Sequence, residues 1–102
     1  MPGLDNYLSK NVITIFSKSY CPYCDRAKAL MKSLNLQTKV YEVDLGEVPD
    51  DVVNELYKKT NHNTFPNIFI GFDNVKGYND VQALIKKGTF DQLVTKNGIQ
   101  TA

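Results

Sequence analysis

An α/β fold, with a small four-stranded mixed sheet flanked by helices on both faces, is predicted by three features of this 102-residue chain. An apolar run, Val12-Ile13-Thr14-Ile15-Phe16, precedes Ala27, Leu30, Met31 and Leu34, which fall on one helix face. The β-rich segment Lys39-Val40-Tyr41-Glu42-Val43-Asp44 follows. A strand, helix and strand in that order make a parallel pair with a right-handed crossover. Further on, Asn67-Ile68-Phe69-Ile70, the turn-forming Gly71-Phe72-Asp73-Asn74 and Val75-Lys76 read as a hairpin, which adds antiparallel strands.

The remaining elements fit between these. Leu4, Tyr7 and Leu8 share a helical face, which predicts a short opening helix over residues 3–10 with Asn11 as its stop. The first strand, 12–17, is almost continuously apolar, as a strand covered on both faces should be. The next helix is expected over 22–34, with Pro22 in the first helical position and Asn35 as the stop. After the 39–44 strand and a loop at 46–49, Val52, Val53, Leu56 and Tyr57 predict a helix over 50–60. Asn61 to Thr64 is a polar loop into the hairpin. Asn79 is positioned to cap a further helix, with Gln82 completing a capping box and Val81, Leu84 and Ile85 facing the core. Lys86-Lys87-Gly88 is a stop, with cations on the negative end of the dipole and then a glycine. Thr89 is the expected cap of a last helix that buries Phe90, Leu93 and Val94, and residues 97–102 are expected to fray.

Composition bounds the function. One domain of 102 residues, 42% hydrophobic, builds a core without disulfide staples, and the elements place that core over about 11–96. A net charge of +1 without charged blocks gives no footprint for nucleic acid. No apolar run approaches the about 20 residues that cross a bilayer, and the first residues show neither a basic-then-apolar leader nor a lipidation motif. A cytoplasmic, reducing setting is therefore the expectation, and there a closely spaced cysteine pair is catalytic or metal-binding more often than structural.

Both cysteines of the chain, Cys21 and Cys24, lie at the junction of the first strand and its helix. That puts Cys21 at the helix mouth, beside unpaired backbone N–H groups and the positive end of the dipole. A thiolate is favoured there, and the thiolate is the nucleophile. Cys24 lies one turn inward, in reach of a disulfide ring with Cys21. A zinc site is the competing reading. It needs four protein ligands in a structural site, and His62 is the only soft partner left, so no resident metal is expected.

The motifs Lys18-Ser19-Tyr20-Cys21-Pro22-Tyr23-Cys24, Thr64-Phe65-Pro66 and Gly77-Tyr78-Asn79-Asp80, in this order, resemble those of the dithiol glutaredoxins within the thioredoxin-like fold. The resemblance runs from about Asn11 to Val94. It implies a monomer that uses glutathione as co-substrate and disulfide-bonded or glutathionylated proteins as partners, with no nucleic acid or membrane involved. It implies that Lys18 meets a substrate carboxylate and that Tyr23 flanks the bound sulfur. Thr64 and Gly77 would belong to the glutathione site, the Phe65 backbone would pair with the cysteinyl unit beside a cis Pro66, and Asn79 and Asp80 would receive the γ-glutamyl end. His62 would reach the glycyl carboxylate. Tyr78 is expected to pack. The chain departs from the family pattern at His62-Asn63, where Gln-Arg is common, at Phe65, where valine is usual, and at Lys76, where the family has a glycine. A lysine takes a positive φ only at a cost, so either that turn needs no such angle or it differs.

By the same resemblance, Cys21 attacks a disulfide or a glutathionylated cysteine, Cys24 resolves the mixed disulfide, and glutathione restores the dithiol. Two other uses are distinguishable. A [2Fe–2S] cluster shared by two protomers through Cys21 and glutathione is disfavoured by Pro22, and a thioredoxin-like cycle would depend on a protein reductase.

Overall fold

A computed structural model describes residues 3–102. The sheet has the order β2-β1-β3-β4 and is built from β1 (Ile13–Ser17), β2 (Thr38–Glu42), β3 (Asn67–Ile70) and β4 (Asp73–Lys76). β1 and β2 are parallel, and the other two pairings are antiparallel. The helices are α1 (Pro22–Ser33), α2 (Asp50–Thr60), α3 (Tyr78–Lys87) and α4 (Thr89–Asn97). This is the mixed sheet and helix arrangement that the sequence predicts.

The period-2 alternation of strand side chains sorts the core into two layers. Ile13 and Ile15 of β1 and Ile68 and Ile70 of β3 point to one face, where Ala27 and Met31 of α1, Val81 of α3 and Phe90 of α4 cover them. Phe16 and Phe69 point to the other face, against Leu4, Leu8, Val52, Val53 and Leu56. Both faces of β1 are therefore covered, which explains its nearly continuous apolar run. Gly71 turns the hairpin at φ 62°, and a Cβ there would lie 2.4 Å from the Lys10 carbonyl oxygen, so this turn requires glycine.

Several local expectations are corrected. The opening helix shrinks to a 3-10 turn, Leu4–Tyr7, whose end is pinned when the Gly3 and Leu4 N–H groups donate to Glu55 Oε1 (3.0 and 3.1 Å). Val43 and Asp44 leave β2 for a second 3-10 turn, Val43–Leu45. Asn79 does not cap α3. The N-cap is Gly77, whose N–H donates to Asp80 Oδ2 at 2.9 Å, and Gln82 instead donates to the Tyr78 hydroxyl. Thr89 lies inside α4, which follows directly on Gly88. The C-terminal residues do not fray. Ile99 enters the core beside α1 and α3, the Gln100 N–H donates to the Asn11 carbonyl, the Gln37 N–H donates to the Gln100 carbonyl, and Leu36 bridges to Thr101. The tail extends the sheet side of the molecule because its backbone groups find partners at the ends of β1 and β2.

Truncating Ile99→Ala is accordingly expected to cost about 2–4 kcal/mol, read as a lower urea midpoint at unchanged slope. A midpoint equal to that of the parent chain would mean that the tail contributes nothing.

Candidate active site

Helix α1 begins at Pro22, and the residue before it is the N-cap. That residue is Cys21, in extended conformation (φ −93°, ψ 116°), and its Sγ accepts the Cys24 N–H at 3.2 Å. The sulfur thus does what a serine or aspartate oxygen does at other helix starts. Its S–H can donate to the Phe65 carbonyl, 3.6 Å away across the site. Both thiols are free. Cys21 is partly exposed, whereas Cys24 is fully buried. Burial, helped by the hydrogen bond that the Cys24 S–H donates to the Cys21 sulfur, raises the Cys24 thiol from its ordinary 9.0 to about 11, against weaker opposing bonds from the Lys18 backbone and Ser17. One sulfur faces solvent on donated N–H support, and the other waits behind it as a thiol.

The loop before Cys21 is tied down from β2's end of the sheet. The Ser19 N–H and hydroxyl both donate to the Asp44 carboxylate (2.8 and 2.5 Å) and hold that carboxyl below the usual carboxylate range. Asp44 falls within the predicted 39–44 strand, and nothing local to it signals this role. Lys18 turns its ammonium over the Phe65 ring, 5.0 Å from the centroid, and Tyr57 meets the same ring edge-on. The side chain of Phe65 therefore has a partner in the site as well as its backbone.

A groove of about 280 Å³ opens beside the cysteines. One wall is Thr64, Phe65 and Pro66, with a cis bond at Phe65–Pro66 as expected, and the other is Gly77, Asn79 and Asp80 at the start of α3. Tyr23 and Tyr78 also line it, with ring centroids 6.2 Å apart. His62 lines the groove too, bonded to the Thr64 hydroxyl (3.1 Å) and the Pro66 carbonyl (3.3 Å). The sequence-predicted groove residues are thus gathered in one place, except Lys18, which stands outside the groove over Phe65. Tyr78, expected only to pack, is part of the lining. The puzzle at Lys76 resolves: Lys76 itself takes φ 62°, while Gly77 stays extended at φ −95°. A Cβ on Gly77 would make ordinary contact with Asp80 Oδ2 (3.4 Å) and the His62 ring (3.6 Å). Among the described residues, no three His, Cys, Asp or Glu side chains gather as a metal site.

The exposure difference gives a direct test. With the chain reduced at neutral pH, limiting iodoacetamide should label Cys21 and spare Cys24 until the protein is unfolded, as read by peptide mass mapping. Equal labelling of the folded chain would contradict the geometry. The Cys24 shift gives a second. An unfolded thiol ionises near its ordinary 9.0 and the buried one only near about 11. Stability is therefore intact below the first value and falls as pH rises toward the second, by on the order of 3 kcal/mol. Urea unfolding under reductant should show this loss, and Cys24→Ala should remove it from the pH slope.

Comparison with known proteins bears on this arrangement of thiols and groove. The glutaredoxin family model matches residues 13–75. Glutaredoxin-1 of Rhizophagus irregularis is 35% identical over 91 residues, which span 89% of this chain and 90% of that protein. Among solved structures, a buckwheat glutaredoxin–glutathione complex superposes with TM-score 0.80 at 29% identity, covering 92% of this chain and 86% of the other. A dithiolic glutaredoxin of Trypanosoma brucei brucei superposes with TM-score 0.82 at 33% identity, covering 92% and 97%. The family match takes in β1, the α1 start with both thiols and the Thr64–Pro66 wall of the groove, and the relatives cover most of the chain, so the fold is the thioredoxin-like one and the chain belongs to the glutaredoxin family.

Proposed function

We propose that this thiol–disulfide oxidoreductase reduces protein disulfides and glutathionylated cysteines with glutathione as co-substrate, through Cys21 and Cys24. The observation that carries the reading is the sulfur at the α1 N-cap: Cys21 Sγ is partly exposed, accepts the Cys24 N–H, and lies 3.6 Å from the Phe65 carbonyl at the edge of the groove. The donated Cys24 N–H and the positive end of the helix dipole suit a sulfur that gathers negative charge at that point, both as the attacking group and as the leaving group when glutathione attacks.

In the cycle, the Cys21 thiolate attacks a substrate disulfide and releases one substrate sulfur. For a glutathionylated protein, the protein thiol leaves, and glutathione stays on Cys21 until a second glutathione removes it as the disulfide. For a protein disulfide, Cys24 attacks Cys21 Sγ, frees the substrate and leaves a Cys21–Cys24 bond, which two glutathiones then reduce. The groove is the seat for the extended tripeptide. The Phe65 backbone next to Pro66 offers strand-like pairing to the cysteinyl unit. The start of α3 offers N–H groups to the γ-glutamyl carboxylate, and the Asp80 carboxylate offers charge to its ammonium. Thr64, His62 and Tyr23 line the remaining length, with Lys18 reaching in from over Phe65 to an acidic group of the ligand.

Coupled glutathione turnover assays on the two cysteine variants test this. Cys21→Ser should lose all activity, a fall of at least about a thousandfold by removal of the nucleophile. Cys24→Ser should keep deglutathionylation and lose reduction of protein disulfides. Activity retained in Cys21→Ser would overturn the assignment.

A further inference from the structure

A polar cluster lies on the α1 side of the sheet, beneath Cys24, and the reaction above makes no use of it. Ser17 ends β1 and Glu42 ends β2, and the two are register partners in the parallel ladder, so their side chains share the face that α1 covers. Lys28 stands one turn beyond Cys24 on α1 and places its Nζ 2.6 Å from Glu42 Oε2 and 3.8 Å from Asp25 Oδ1. The Lys28 and Glu42 side chains are only 27% and 18% exposed, so solvent screens them weakly. Glu42 Oε1 is buried with no hydrogen-bond partner. A pair this covered gives up hydration that an apolar pair would not, so it is a poor device for stability alone.

Its position beside a buried thiol gives it a use. Burial works against the Lys28 ammonium, but the bond and charge of Glu42 outweigh it, with Asp25 and any charge on Cys24 adding to the effect. The ammonium therefore persists, one helical turn along α1 from the resolving sulfur and bonded to the residue that is paired in register with Ser17. Around Cys24 the other polar neighbours are Cys21 at the helix cap, Ser17 on β1 and the Lys18 backbone. Nearby charges are committed elsewhere: Lys18 Nζ lies over Phe65, Asp44 holds Ser19, and Asp80 of α3 holds the Gly77 N–H.

We propose that Lys28, anchored by Glu42, is a positioning residue for the dithiol half of the reaction, where its ammonium favours the thiolate of Cys24 as that sulfur attacks a mixed disulfide on Cys21. The inference rests on the cycle proposed above. In the step it assists, the Cys24 thiol gives up its proton and its sulfur forms a bond to Cys21 Sγ. The bond from Cys21 to the substrate sulfur breaks with its electron pair, and the leaving thiolate takes up a proton. The substrate cysteine is reduced, and the Cys21–Cys24 pair is oxidised. Reactions that need Cys21 alone gain nothing from Lys28.

Stopped-flow reaction with Ellman's disulfide separates the steps, because one thionitrobenzoate is released when Cys21 attacks and a second when Cys24 resolves. Lys28→Gln should leave the first phase unchanged and slow the second about three- to tenfold at neutral pH, with the pH dependence of the second phase moved up by about half to one unit. Lys28→Arg should restore most of the rate. Since Lys28→Gln strands a covered carboxylate, the Lys28→Gln/Glu42→Gln double variant, which removes both charges, should show the same slowing and the same shift. A folded double variant with the parent's second-phase pH profile overturns the proposal, and so does equal slowing of both phases. Cys24→Ser separates this failure from that of the underlying cycle: it should abolish the second phase, and a second phase that persists there contradicts the cycle itself.

Discussion

The structure depends on a sulfur doing the work of a helix cap. Cys21 Sγ accepts the Cys24 N–H at 3.2 Å, and Pro22 after it has no N–H to satisfy. The first turn of α1 is therefore completed by the reactive atom. The same hydrogen bond fixes the spacing of the two thiols, because the donor belongs to Cys24, whose side chain is carried into the core by the turn so started. Exposure of one thiol and burial of the other follow from the helix geometry together with the packing of Ala27 and Met31 against β1 and β3.

Around that centre, each neighbouring element contributes one constraint. Asp44, just past β2, fixes the Ser19 loop that delivers Cys21. The cis Phe65–Pro66 segment before β3 brings a carbonyl to the Cys21 sulfur, and the Phe65 ring holds the Lys18 ammonium. The start of α3, capped through Gly77 and Asp80, forms the facing wall. Covering β1 on both faces makes this possible: its end is fixed by two core layers at once, so the loop leaving it has a rigid origin. The Lys28–Glu42 pair lies on the same end of the sheet, where β1 and β2 finish in register.

Most of this frame was legible in the sequence because it rests on local periodicity. The nearly continuous apolar runs of β1 and β3, the helical spacing of α1 and α2, and the Gly88 stop after α3 all act within a few residues, and the three motifs pointed to the groove. The errors came where a distant partner decides. Residues 97–102 carry no strong pattern of their own, yet Asn11, Asn35 and Gln37 supply partners that no local rule reveals. Asn79 is a good cap by type, but Asp80 reaches back to the Gly77 N–H and starts the helix earlier. Lys76 adopts the left-handed angle usually left to glycine, a cost of roughly 1–2 kcal/mol that the hairpin and α3 on either side impose. Asp44 and Glu42 read as ordinary strand residues, but the parallel register turns Glu42 toward α1, and a 3-10 turn carries Asp44 to the Ser19 loop.

The central claim is that the sulfur capping α1 is the one that carries glutathione. Incubating the Cys24→Ser variant with glutathione disulfide, then locating the adduct by peptide mass, tests it most directly. The account predicts one glutathione on the peptide containing Cys21, removable by further glutathione. A folded protein that acquires no adduct at Cys21 would contradict it.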